Sequence, residues 1–141
     1  MRSALLFLLL SPFLLSNGGP QGDDAQVLQK CIDLPQLQAY YPLDADGNPR
    51  QLNVMQHGVS FPENIDVSAN GKSLAFLSKK QVSQTEANAY FLFQEFKISG
   101  NSATVAFVYQ YNQTELVVVS LVLNKNVDTW SVTNSNIEKR R

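Results

Sequence analysis

Apolar and polar positions alternate most regularly in the last third of the chain, where four runs are typical of β-strands: 90–99, 103–111, 115–124 and 129–136. The connections between these runs are short and rich in residues that favour turns. Strands joined in this way pair with their chain neighbours in the antiparallel sense. The pattern therefore predicts a four-strand antiparallel meander in this part of the chain.

The two middle strands of this meander are apolar on both faces. In the run 103–111, Ala, Val, Phe, Tyr and Tyr alternate with Thr, Ala, Val and Gln, and 116–123 alternates Val and Leu with Leu, Val, Ser and Val. An antiparallel sheet with one wet face shows a cleaner alternation than this. Both faces therefore need a cover. N-terminal helices can cover one, and we expect early strands, a second subunit or a ligand on the other.

Shorter elements precede the meander. The pattern predicts a helix near 25–33 that restarts through 36–40, then a strand over 52–57. Asn70-Gly71 predicts a hairpin turn, because both central positions of that turn need positive φ. A short helix in 78–89 would have Ser83 as its cap and Glu86 three residues on. These elements predict one α+β domain, with an N-terminal helix plus a mostly antiparallel sheet that ends in the meander.

The first residues resemble a secretory signal peptide. Arg2 is followed by an apolar run over 4–15 that is shorter than the roughly 20 residues needed to span a bilayer. Ser16 and Gly18 are small residues suited to the positions before a cleavage point. We predict a signal peptide over 1–18, cut after Gly18 or alternatively after Ser16, and a mature domain over 19–141 that is secreted or periplasmic.

Cys31 is the only cysteine of the chain. It follows Lys30 and lies well past the apolar run, so the leader is not that of a lipoprotein. A single cysteine allows no disulfide within the chain. Cys31 shares a helical stripe with Val27, Leu28 and Ile32, which predicts a buried side chain. An intermolecular disulfide and a reactive thiol are the alternatives.

Charge and composition exclude several classes of protein. The 141 residues are 44% hydrophobic, enough for a core, and the formal net charge is −1. Removing Arg2 with the leader leaves ten basic and twelve acidic side chains, a net charge of −2. Such a balance gives no field to hold a phosphate backbone or an anionic membrane surface. We therefore expect no nucleic-acid partner.

No motif predicts a catalytic, cofactor or metal site. The loop from Asp44 to Asn48 resembles the start of a calcium loop, but Pro49 and Met55 stand where that loop needs Gly and Glu. One His and one Cys do not complete a zinc site by themselves. No glycine-rich phosphate loop follows a strand. We expect no cofactor and no metal.

Four residues are candidates for a pocket. His57, the only histidine, could act as a general base with Asp66 as partner, and Tyr109 and Tyr111 are two aromatic residues that carry a polar group. For each of them a structural role is the plainer alternative. Asn112-Gln113-Thr114 is a glycosylation sequon in a predicted turn, and it matters only in a eukaryotic source.

The last third also resembles a known structural group. The segment 100–107, the run 116–123 and Trp130-Ser131-Val132 form a pattern of turn, Ala-x-Val, strand, turn and Trp-x-Val. This pattern, over roughly 88–137, is similar to exported proteins with cystatin-like or nuclear transport factor 2-like cone folds. The resemblance implies a curved sheet wrapped around a helix. The Gln-x-Val-x-Gly loop of inhibitory cystatins is missing, so protease inhibition is not implied.

Three functions follow as hypotheses. We expect an exported, non-enzymatic binding module that uses one apolar face of the sheet, with a homodimer or an envelope or extracellular protein as its partner. The alternative is a small-ligand carrier or enzyme whose pocket lies between helix and sheet. A protease inhibitor is the least supported, because its motif is missing.

Overall fold

The structure is a computed structural model that describes residues 22–62, 64–84 and 89–141. The predicted signal peptide over 1–18 and Glu86 lie outside these residues. Helices and strands together confirm the α+β class. In chain order the elements are α1 (Asp23–Ile32), a 3₁₀ helix (Pro35–Tyr40), β1 (Asn53–Gln56), β2 (Ser68–Ala69), β3 (Lys72–Ser73), β4 (Ala75–Ser78), α2 (Lys79–Gln84), β5 (Tyr90–Ser99), β6 (Ser102–Gln110), β7 (Leu116–Asn126) and β8 (Thr129–Arg140).

Six strands form one mixed sheet in the order β4-β1-β5-β6-β7-β8. The last four strands pair with their chain neighbours and are antiparallel. β1 is parallel to both of its neighbours, β4 and β5. Parallel neighbours cannot be joined by a tight turn and need a longer connection. The connection from β1 to β4 contains β2 and β3, and α2 lies in the connection from β4 to β5, which are on opposite sides of β1.

The turn at Asn70-Gly71 joins β2 and β3 in a separate two-stranded sheet. Asn70 has φ of 54° and Gly71 has φ of 79°, as a two-residue hairpin turn with positive φ at both positions requires. The next segment, β4, leaves the hairpin and enters the main sheet beside β1.

The cap of α2 differs from the prediction. Ser78 Oγ accepts a hydrogen bond from the Gln81 N–H at 3.0 Å, and Gln81 Oε1 accepts one from the Ser78 N–H at 2.8 Å. This reciprocal pair is a capping box. Ser83, the predicted cap, lies inside the helix and donates its hydroxyl to the Lys80 carbonyl, so that prediction was wrong.

One face of the sheet, called the inner face below, packs against α1 and the 3₁₀ helix. The large side chains of this core are fully buried, and they come from the helices and from alternate positions of the strands: Trp130, Tyr109, Phe91, Phe93, Phe107, Leu28, Ile32, Leu37, Leu121 and Leu123. Burial of this much apolar surface is the main source of stability for a domain without disulfides.

Polar contacts fix both ends of α1. At its start, Asp23 Oδ1 accepts hydrogen bonds from Lys125 Nζ at 2.9 Å and from Trp130 Nε1 at 3.0 Å. These two contacts hold the pKa of Asp23 below its usual value. At the other end, the Tyr41 hydroxyl donates to the Ile32 carbonyl at 2.6 Å. That carbonyl is one of the last four in the helix, which have no partner within it.

None of the helices in the described part of the chain has the length and apolar character needed to span a bilayer.

Candidate functional site

The four predicted pocket residues occupy different environments. His57 is exposed and forms an isolated pairing with Val59, and Asp66 is exposed in the segment before β2. Tyr109 is fully buried, and Tyr111 is partly buried just after β6. Only the two tyrosines are brought close to each other, with ring centroids 6.4 Å apart. The structure thus pairs Tyr109 with Tyr111 and leaves His57 and Asp66 on exposed segments.

Tyr109 is part of the core. Its ring packs against Phe91 at 4.5 Å and Tyr41 at 5.3 Å between centroids, and its hydroxyl lies 3.5 Å from the Tyr40 carbonyl. Burial raises the pKa of Tyr109 well above its ordinary value. The Tyr109 hydroxyl therefore stays protonated near neutral pH and cannot serve as a base there.

Tyr111 belongs to a cluster at the end of β6. Its ring lies 4.7 Å from that of Tyr40, and Lys139 Nζ lies 5.8 and 5.9 Å from the two ring centroids. The Tyr111 hydroxyl first, and then the Glu115 carboxylate, raise the pKa of Lys139. The arrangement combines a cation–π contact with an ion pair of 3.6 Å to Glu115. It fastens β8 to the turn after β6.

The sequon Asn112-Gln113-Thr114 lies in that same turn. Asn112 Oδ1 accepts hydrogen bonds from the Thr114 N–H at 2.9 Å and the Glu115 N–H at 2.8 Å. Asn112 Nδ2 donates to Glu115 Oε1 at 2.9 Å. In the folded domain this side chain therefore acts as the organiser of an Asx-type turn.

The second face of the sheet, called the outer face below, carries a row of apolar side chains. The pairing register places five of them side by side across five strands: Leu77, Met55, Leu92, Val108 and Val118. Each alternates along its strand with a residue that points to the inner face, such as Val54 or Phe107. The outer face is therefore apolar in the middle.

α2 covers one end of this row. It lies against β1 and β4. Met55 and Val82 are buried, yet neither belongs to the core cluster of the inner face. The register points Met55 outward, so α2 and its Val82 pack on the outer side of β1.

The other end of the row is open. Leu92, Val108 and Val118 are partly exposed, and none of them packs against the core cluster. Around them lie Ala106 and Leu116, also partly exposed, and Val122, which is 37% exposed. We call these six residues the apolar patch: Leu92, Ala106, Val108, Leu116, Val118 and Val122.

Charged residues border the apolar patch. On β5, Glu95 and Lys97 share the outer face with Leu92, because a register shift follows Phe93. On β8, Glu138 faces Val118 and pairs with the Arg140 guanidinium at 3.0 Å. An apolar centre with a polar, mixed-charge rim is the usual anatomy of a protein interface.

A separate cleft of about 680 Å³ opens where β1 and β5 begin and β6 ends. Its apolar wall contains Pro42, Leu43, Leu52, Ala89 and the ring of Tyr111. Leu43 is 58% exposed, which is unusual for a large aliphatic side chain. The cleft is open to solvent.

The polar wall of this cleft is cationic. It contains Arg50 and Lys72, with Asp44 as the carboxylate. Asp44 Oδ1 accepts hydrogen bonds from the N–H groups of Asn48 and Asp46, both at 2.9 Å. These contacts, together with Lys72 and Arg50, lower the pKa of Asp44. Asp44 is therefore charged near neutral pH, and the wall carries two positive charges against one negative charge.

Residues 22–62, 64–84 and 89–141 contain no group of three or more His, Cys, Asp and Glu side chains arranged to hold a metal ion. Cys31 is buried as a free thiol on the inner side of α1. Burial raises the pKa of the Cys31 thiol far above its ordinary value. A thiol in this state is a poor nucleophile, because the reactive form is the thiolate.

Comparisons with protein-family models, with curated proteins and with solved structures find no match for the chain. The resemblance to cystatin-like and nuclear transport factor 2-like proteins therefore stays a prediction.

Proposed function

We propose that the mature protein is an exported, non-enzymatic interaction module that binds a partner through the apolar patch. A second copy of the chain is the simplest partner. The observation that carries the proposal is the row of apolar side chains on the outer face, which lacks a cover beyond α2 within the described residues. A contiguous exposed apolar surface with a polar rim is a feature of binding sites.

Both edges of the sheet are poorly suited to pairing with another chain, which favours self-association through the outer face. β8 forms one edge, and from Thr133 to Arg140 its sequence is polar or charged except for Ile137. Such residues guard an edge strand against pairing with another edge. β4, at the opposite edge, has four residues and leads straight into α2. The face is thus the better surface for self-association.

The area of the outer face is small for a protein interface, which indicates a weak dimer. β5 to β8 each have nine or more residues, so four strands about 4.8 Å apart and about 30 Å long cover on the order of 600 Å². Two such faces would bury about 1,200 Å², the lower end for specific complexes. Weak, transient complexes lie at this low end of interface size, so we expect a dimer with a dissociation constant on the order of 10–100 µM.

Sedimentation velocity of the mature protein between about 1 and 1,000 µM, concentrations roughly tenfold to either side of that range, tests the proposal. Wild type should shift from monomer to dimer. Val118→Glu should remain a monomer throughout, because a dimer would bury an unpaired carboxylate. Gln36→Glu is the matched control. It adds the same charge to an exposed position of the 3₁₀ helix, which packs on the inner face of the sheet, and it should dimerise like wild type.

Two results would contradict a homodimer that forms through the apolar patch. One is a wild-type monomer at the highest concentration. The other is equal dimerisation by wild type and Val118→Glu, which would place the contact elsewhere. Thermal unfolding of each variant checks that it is folded.

The alternative of a ligand carrier with a pocket between helix and sheet has less support. In the described residues that space is filled by side chains such as Leu28, Phe107 and Trp130. The cleft beside Arg50 lies elsewhere.

A further inference from the structure

We propose that the cleft between Leu43 and Arg50 binds a small monocarboxylic acid with an apolar body. This site is separate from the apolar patch and does not depend on the proposed dimer. Its volume of about 680 Å³ lies within the range of about 300–1,000 Å³ typical of small-molecule sites. Three properties of its walls point to the class of ligand.

The first property is an available guanidinium. Within the described residues, no hydrogen bond or ion pair is recorded for the Arg50 side chain, although its backbone N–H donates to the Pro42 carbonyl. Arginine presents a planar fork of donors that matches a carboxylate in two parallel hydrogen bonds. An unused fork at the wall of a cleft is suited to an incoming anion.

The second property is a second cation at the same wall. Lys72 Nζ donates to the Pro49 carbonyl at 2.8 Å, which uses one of its three donors and leaves the other two for a ligand. Asp44 uses its carboxylate on the backbone of its own loop. The local excess of one positive charge favours a ligand with a single negative charge.

The third property is the apolar wall. Leu43 is largely exposed at the cleft, and Pro42, Leu52 and Ala89 continue the same surface. A purely ionic ligand such as inorganic phosphate would leave this wall in water. An acid with a hydrocarbon body would cover it, at roughly 25 cal/mol for each Å² removed from water.

The test is a titration of the mature protein followed by two-dimensional ¹H–¹⁵N NMR, with octanoate as the probe. Acetate tests the carboxylate alone, 1-octanol tests the apolar body alone, and octyl phosphate tests another head group. We expect octanoate to shift the amide signals of residues 43–53 and 72. Acetate, octanol and octyl phosphate should each bind at least about tenfold more weakly.

Arg50→Gln should weaken octanoate binding about tenfold, the loss expected for one charge-assisted hydrogen-bonded contact. Lys97→Gln is the matched control, because it removes an exposed cation from β5 on the outer face. It should bind octanoate like wild type. Val118→Glu should also bind normally, which separates this proposal from the dimer.

Four outcomes would overturn the assignment. The first is no shift at 10 mM octanoate, a concentration about tenfold above a millimolar dissociation constant. The second is shifts confined to the apolar patch, and the third is equal affinity of Arg50→Gln and wild type for octanoate. The fourth is tighter binding of octyl phosphate than of octanoate. The last result would assign the cleft to phosphate monoesters instead.

Discussion

Removing the hydroxyl group of Tyr41 tests how the C-terminal end of α1 is held. It donates to the Ile32 carbonyl at 2.6 Å inside the core, where the second donor to that oxygen, Gln38 Nε2, is 3.4 Å away. Tyr41→Phe removes the short bond and leaves a buried carbonyl with a poor partner. The lost hydrogen bond and the poorly paired carbonyl together should lower the free energy of unfolding by about 1–2 kcal/mol.

Tyr109→Phe is the matched control. It deletes the same group from another buried tyrosine, whose hydroxyl lies 3.5 Å from the Tyr40 carbonyl. A contact of that length is at the limit of hydrogen bonding. We expect a change in the free energy of unfolding within about 0.5 kcal/mol of zero.

Urea unfolding followed by tryptophan fluorescence measures both changes, because Trp130 is the only tryptophan and is buried. In thermal unfolding of the same variants, Tyr41→Phe should lower the midpoint by roughly 4–8 °C, and Tyr109→Phe by no more than about 2 °C. Equal loss in the two variants would refute the reasoning, since bond length would then not decide the contribution.

Two further predictions concern a strained turn and the start of α1. Val127 has φ of 60° and is 84% exposed. Val127→Gly should therefore raise the free energy of unfolding by about 1 kcal/mol, measured by thermal unfolding, because a β-branched residue is strained there; a lower midpoint would contradict this. Asp23→Asn should destabilise the domain at pH 7, and the loss should be smaller at pH 2. The Lys125 and Trp130 hydrogen bonds lower the folded pKa of Asp23, so its stabilisation is present above the ordinary value of 3.8 and is lost as pH falls through the lower folded value. Urea unfolding at both pH values measures the difference, and an undiminished loss at pH 2 would contradict the assignment.

Local signals in the sequence were enough to predict some parts of the fold. Asn70-Gly71 specifies its turn by itself, because only a few residue types accept positive φ. The double apolar alternation of 103–111 and 116–123 predicted a second apolar face, and the structure contains one. These features depend on residues that are close together in the chain.

The capping of α2 shows where local signals become ambiguous. Ser78-Lys79-Lys80-Gln81 and Ser83-Gln84-Thr85-Glu86 both fit the capping-box pattern. The helix starts at the first of them because β4 ends at Ser78. Where β4 ends depends on its pairing with β1, which lies more than twenty residues earlier in the chain.

The cleft and the parallel pairing of β1 could not be predicted from the sequence, because both depend on contacts between distant parts of the chain. β1 has only four residues, Asn53–Gln56, and nothing in them selects two parallel neighbours. The cleft joins the loop near Leu43, Lys72 in the small hairpin and Tyr111 after β6. Arg50 and Lys72 carry no motif, so only the folded chain brings them to one wall.

The contact of Asp23 with Lys125 and Trp130 joins the first described helix to the last two strands, across 102 and 107 positions of the chain. Synthesis proceeds from the N-terminus, so Asp23 emerges long before Lys125 and Trp130. The C-terminal end of α1, by contrast, has its partner Tyr41 only nine residues further on. A chain released before β8 lacks the Trp130 contact at the start of α1, and incompletely folded chains that expose apolar surface are prone to aggregation.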